Sequence, residues 1–345
     1  MPGLAARGRA SQHSARAPGS GPCPLDIDAA ACSTVAMTTQ PTLSNWLSIA
    51  ALGLIWGGTF MVVSIALDGY GPLTVACART SLGAVALLAL MRAMRRPMPA
   101  GGARLWAYLS AIGVMSTALP FFLLSWGQQY VPSAFAGISM AAMPLFVLPL
   151  AHVFSDEPMH LRRVIGVTTG FVGAVVLIGP GLRVIGSDIS VLGQLACIGA
   201  ALSYSVASVL TRRCPPIDPI TLAALTLAVG AAVMIPAMLM IEGVPGWHGA
   251  RSGLAIVFLG LVPTALAALL RVQVIRSAGS VFMTLVNYQV PLWSMLFGTV
   301  ILAEVLPPRF FVALALILTG LAISQWNSLR ALFSARRPPA PPAKG

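Results

Sequence analysis

Few side chains in this sequence are equipped for chemistry, and most of those stand inside long apolar runs. Arg79 is a lone charge well within one run, and Trp56 stands in another beside Gly57, Gly58 and Thr59. Ser280, Thr284, Asn287, Pro291 and Ser294 recur at helical spacing and make one polar stripe, flanked by Tyr288 and Gln289. Tyr204, Ser208 and Thr211 form a shorter stripe, and Gln128 and Gln129 mark the mouth of a further run. In an apolar medium such groups recognise a solute through hydroxyls, amides, ring faces and one guanidinium. Bond-making chemistry lacks its motifs: there is no GxxxxGK phosphate loop, no HExxH and no GxSxG. His13, His152, His160 and His248 lie in tails or near run ends, and Cys23, Cys32, Cys77, Cys197 and Cys214 form no CxxC or Cys/His pattern. No catalytic residue, metal ligand or cofactor is expected.

The elements that must position these residues follow from composition. At 57% hydrophobic and 9% charged, with mean hydropathy +0.86, the chain has far less charge than the roughly one quarter of a soluble domain. It belongs in a bilayer. The apolar runs are continuous and lack the alternation of a membrane β-barrel, so the fold class is all-α integral membrane. Ten spans are expected, at 46–66, 73–91, 105–124, 133–153, 164–178, 191–211, 220–241, 253–275, 280–302 and 310–325. The net charge of +12 is spread over short clusters between runs, which reads as topology signals and not as a nucleic-acid surface. Arg92, Arg95, Arg96, Arg104, Arg162, Arg163, Arg212, Arg213, Arg271 and Arg276, with both tails, fall on one side, against Arg183, Arg251 and Arg309 on the other. Both termini are therefore expected in the cytoplasm.

Residues 133–157 and 280–304 repeat one layout at an offset of 147, matching Ser133 to Ser280, Pro144 to Pro291 and Glu157 to Glu304. Pro72/Pro219, Gly83/Gly230, Arg104/Arg251, Gly113/Gly260, Thr117/Thr264, Arg162/Arg309 and Gly173/Gly320 keep the same offset. The chain is a duplicated unit. Five spans per half is odd, so the second half enters the membrane reversed, giving ten transmembrane helices as two inverted five-helix repeats. Such repeats build a solute site near the midplane and work by alternating access.

With IWGGTF at 55–60, PLTVACARTSLGAVALL at 72–88 and the two Ser-to-Glu segments, the sequence resembles the drug/metabolite transporter superfamily, specifically chains with two EamA-type domains. The resemblance covers nearly all of 46–326, with repeats at 46–180 and 191–327 and tails at 1–36 and 328–345. It implies a secondary carrier with its cavity between the repeats, often an exporter of amino acids, other metabolites or toxic compounds. An importer or facilitator of metabolites such as nucleosides or a vitamin is the alternative, ahead of an assembly factor or intramembrane enzyme. The partners implied are a small-molecule substrate and the lipid bilayer, with no nucleic acid; a homodimer is left open. There are departures: Ser155-Asp156-Glu157 replaces the usual Leu-Gly-Glu-like ending, and Trp56 and Arg79 align with Ser203 and Thr226. Symmetric substrate contacts are therefore not expected.

The residues expected to bind or pass a solute are Trp56, Thr59, Arg79, Pro144, Tyr204, Thr284, Asn287, Tyr288 and Pro291. Each has a plainer reading. Arg79 at depth faces a cavity, or snorkels to the outer interface or pairs with Asp68; Trp56 stacks on a solute or faces lipid; Pro144 and Pro291 kink their helices for passage or only for packing; the polar residues line a cavity or bond between helices. Glu157 and Glu304 are gate candidates, or make structural contacts with Arg162 and Arg309 or with helix ends. Gly53 to Gly57, and Gly166 with Gly170 and Gly173, read as helix packing. The tail before Met37 is either disordered or an upstream extension of the true start.

Overall fold

The computed structural model describes residues 41–155, 159–179, 188–327 and 329–330. Glu157, the tail at 1–36 and the tail at 328–345 apart from residues 329–330, with the readings attached to them, lie outside the described residues. Eight helices are long and apolar enough to cross a membrane: α1 (Leu43–Leu67), α2 (Pro72–Ala93), α3 (Ala103–Gly127), α4 (Ser133–Phe154), α5 (Leu161–Ile178), α6 (Ile189–Arg213), α7 (Pro219–Ile241) and α8 (Ala250–Gly279). Two shorter helices complete the expected ten, α9 (Val286–Val300) and the apolar α10 (Pro308–Ser324). The fold is all-helical, in two halves of five.

The two halves repeat each other in their irregularities as well as their helices. α3 contains a π turn at Val114–Ala118 and α8 another at Leu261–Leu266, again 147 residues apart. Proline accounts for the second. Pro263 has no N–H to give the carbonyl of Leu259 one turn back, and the Thr264 hydroxyl donates to that carbonyl instead at 2.8 Å. In α3 the Thr117 hydroxyl donates to the Gly113 carbonyl at 2.6 Å, and Pro120 stands one residue beyond the end of the π turn, after Leu119. α4 is broken beside its central proline, as expected of a kinked helix, whereas Pro291 lies inside the continuous α9. α4 is split into Ser133–Met140 and Met143–Ser155, so that its break falls just before Pro144. Before α9, Gly279 at φ 87° ends α8, and one turn through Met283 precedes Val286, a full turn ahead of Pro291.

Packing across the halves is set by glycine. α5 and α10 pair, as do α2 with α7 and α4 with α9, each joining equivalent helices of the two repeats. A Cβ at Gly166 would lie 2.6 Å from the Gly320 carbonyl, and one at Gly320 would lie 2.5 Å from the Gly166 carbonyl, so the backbones of α5 and α10 touch directly. On α1, Gly53, Gly57 and Gly58 receive Gln289, Trp293 and Phe297 of α9. The packing reading of both glycine sets describes what these residues touch.

Helix N-termini are closed by carboxylates, because the first amides of a helix have no intrahelical acceptor. Asp218 caps its own helix, accepting from the amides of Ile220 and Thr221 at 3.1 Å each, and Arg96 and Arg276 lie 3.5 and 3.6 Å from its other oxygen. The equivalent position in the first half is Gly71, which has no side chain to cap α2. Glu242, beyond the end of α7, supplies the missing carboxylate, accepting from Leu73 at 2.9 Å and Thr74 at 2.8 Å. Glu304 acts likewise on α4, accepting from the amides of Ser133 and Ala134 at 2.7 and 3.2 Å. Its contact is thus with a helix end of the other half and not with the neighbouring Arg309.

Two stability predictions result. Gly166→Ala places a methyl against the backbone of α10 and is expected to cost about 1–3 kcal/mol. Gly199→Ala, whose new atom meets nothing closer than 3.6 Å, is expected to be neutral, as read from thermal midpoints of the detergent-purified protein. Glu242→Ala leaves the α2 N-terminus open and is expected to cost about 1–2 kcal/mol. Adding Gly71→Asp rebuilds the self-cap seen at Asp218 and is expected to recover most of that loss by the same assay.

Candidate functional site

Two of the expected residues, one on α1 and one on α2, converge on a single turn of the opposite half. Trp56 donates its indole N–H to the carbonyl of Pro263 at 3.2 Å, and Arg79 donates from Nε to the hydroxyl of the next residue, Thr264, at 3.1 Å. Both partners belong to the π turn of α8. Thr264 Oγ1 accepts from Arg79 while donating to Leu259, so guanidinium, hydroxyl and carbonyl form a short chain. The face of the guanidinium lies over the ring of Phe121 on α3, with Cζ 3.9 Å from the centroid, a cation–π contact. Tyr204 of α6 packs against the apolar cluster that contains Phe121 and against a second apolar cluster as well. Three helices, drawn from both halves, therefore meet around one charge.

That charge is deeply placed. Arg79 is 8% exposed and is the one charged side chain among the buried described residues. Its Asp68 reading is not realised: Asp68 faces Arg251 at 3.9 Å on exposed surface. The remaining described carboxylates are engaged elsewhere, Asp188 and Asp218 at their own helix N-termini and Glu242 and Glu304 at those of the other half. Nε is the Arg79 donor with a partner among the described residues, so the Nη amino groups retain free N–H.

The second half builds the same contacts with other chemistry. Ser203, aligned with Trp56, donates to the carbonyl of Met115 in the π turn of α3 at 2.8 Å. Thr226, aligned with Arg79, lies against Thr117, whose hydroxyl reaches the Thr226 carbonyl at 3.5 Å. The framework is symmetric, while the charge and the large ring are confined to one half.

The other expected residues fall into two groups. Thr59 is buried and donates to the Ile55 carbonyl of its own helix at 2.9 Å. Ser294 donates to Pro291 and sits where a Cβ on Gly137 would stand, so the C-terminal part of the polar stripe joins α9 to α4. Thr284, Asn287 and Tyr288 are half-buried, and the Tyr288 hydroxyl is a buried donor without a partner among the described residues. Pro144 is buried beside the break in α4, and Pro291 is buried within α9. No hydrogen bond or ion pair among the described residues joins these α9 groups to Arg79. Sequence reasoning missed Phe121, Pro263 and Glu242. Thr264 was visible as one of the paired positions, and Glu242 could have been found from the glycine that replaces the capping aspartate in the first half.

Comparison with known proteins identifies the family. A family model described as the EamA-like transporter family matches residues 43–179 and again residues 191–326. The chain is 24% identical over 291 residues to the "Uncharacterized transporter YoaV" of Bacillus subtilis, covering 82% of this chain and 97% of that one. It is 26% identical over 278 residues to the "Uncharacterized inner membrane transporter YedA" of Escherichia coli K12, covering 80% and 89%. A "Probable terminal-alkyne amino-acid exporter" of Streptantibioticus cattleyicolor is 26% identical over 284 residues, covering 79% and 91%. A solved crystal structure shares the fold at a TM-score of 0.58 and 22% identity, over 83% of this chain and 99% of that one. Matched twice by one family model, once in each half, this multi-pass membrane protein belongs to the EamA-like transporter family, a family of transporters and not of enzymes.

Proposed function

We propose that the chain is a secondary carrier that exports small organic solutes, amino acids and related compounds or drugs, across the cytoplasmic membrane by alternating access. The observation that carries this reading is Arg79, a buried charge seated where helices of both inverted repeats meet and bonded to an irregular turn of the opposite half. Charges at such depth are expensive and usually mark a solute path, and the interface of inverted repeats is where such a path runs. The exporter direction draws support from the relative named as a probable amino-acid exporter. In this reading Trp56, Thr59, Arg79 and Tyr204 form one wall of the path. Pro144, Thr284, Asn287, Tyr288 and Pro291 form the broken-helix wall opposite, and Glu304 closes one end by holding α4. The two tails and the loops rich in arginine face the cytoplasm.

Overproduction of the wild type is expected to move one class of solute from cytoplasm to medium, and Arg79→Ala at equal membrane abundance is expected to abolish the shift, as read by metabolite profiles of both compartments. Faster depletion of the medium by the wild type would reverse the assigned direction, and no difference from an empty vector would remove the carrier reading. Orientation has its own check. A cysteine introduced in the Arg92–Arg96 loop is expected to resist a membrane-impermeant maleimide in intact cells, while one at Gly246 is expected to react.

A further inference from the structure

We infer that the solute carries a single carboxylate and that Arg79 is the group that reads it, an inference that rests on the proposed path around this residue. A buried guanidinium is retained only where an anion or a full set of acceptors compensates it. Here Thr264 takes Nε, the Phe121 ring covers one face, and all five described carboxylates are bound to other groups. The chain's own compensation is incomplete, and the uncommitted donors are the two Nη groups. Their fixed planar fork matches the two oxygens of a carboxylate.

The surroundings narrow the class further. Arg79 is the one charge in the buried set of described residues, so a dianion such as a phosphate monoester would be brought in half-neutralised. The Phe121 ring lies against it and belongs to an apolar cluster that Tyr204 also packs on, and the Trp56 indole bonds to Pro263, the residue before its Thr264 partner. A solute body that is apolar or aromatic is accommodated there, and a carboxylate is its polar handle. A cation meets repulsion from Arg79, and a neutral alcohol leaves the guanidinium uncompensated. Selection is thus by headgroup, with the body free to vary.

The test uses the purified full-length chain and a series sharing one phenyl body: 3-phenylpropionate, phenylalanine, 3-phenylpropanol, phenethylamine and phenyl phosphate. Ligand-induced shifts in thermal midpoint are measured for the wild type, Arg79→Gln and Arg79→Lys. The two carboxylates are expected to stabilise the wild type and the other three to have little effect. Arg79→Gln is expected to weaken the carboxylates by about ten- to a hundredfold in half-saturating concentration, the span of one charge-assisted hydrogen-bond pair. Arg79→Lys, which keeps the charge without the fork, should fall between. Equal response to alcohol and carboxylate, no response to either carboxylate, or an unchanged preference in Arg79→Gln would overturn the inference. A structural role for Arg79 would lower the ligand-free midpoint and leave headgroup preference intact; if Arg79→Gln is not monodisperse, the wild-type series and Arg79→Lys decide. Failure here leaves the export profile standing, and an empty export profile leaves the headgroup preference measurable.

Discussion

Inside hydrocarbon a backbone amide or carbonyl without a partner costs several kcal/mol, and the architecture of this chain is largely an answer to that constraint. Regular helices satisfy it alone, and the interest lies where they are interrupted. Pro263 removes one donor, and the Thr264 hydroxyl replaces it. The π turns then expose carbonyls that side chains of the opposite half reach, Trp56 at Pro263 and Ser203 at Met115. Open helix N-termini take carboxylates, from their own residue at Asp218 and from the opposite half at Glu242 and Glu304. Backbone satisfaction is in this way converted into contact between the repeats.

The same contacts distinguish places that must stay together from places that carry specificity. Glycine pairs such as Gly166 with Gly320 bring backbones to van der Waals distance, where packing alone holds the helices. Around the π turns the equivalent contacts survive with different residue types, tryptophan for serine and arginine for threonine. A duplicated framework that keeps its geometry while one copy acquires a charge and a large ring is a means of making an asymmetric site from a symmetric fold. Arg79 is the clearest product of that divergence.

Much of this was legible in the chain. Span positions follow from apolar length, because a bilayer demands about 20 apolar residues per helix, and the observed bounds differ from the expected ones by a few residues. Duplication was legible because proline, glutamate and arginine recur at one offset. Arg79 and Trp56 stood out because a charge and an indole beside two glycines are unusual within such runs. The partners were not legible: Phe121 and Pro263 are ordinary apolar residues, and Glu242 reads as a residue beyond the end of a span. Glu304 was legible as important but not as a cap on α4, since that amide lies 171 residues away in sequence.

Sequence by itself determined that this is a ten-span membrane protein of two inverted halves, because hydrophobic length, parity and self-similarity are properties of the chain read in one dimension. Only the tertiary structure decided which residues form a site. It brought Arg79 to Thr264, 185 residues away, and Trp56 to Pro263, 207 residues away. The distances between helices of different halves depend on which glycines admit a neighbouring backbone and which carbonyls an irregular turn exposes, and no local pattern carries that information.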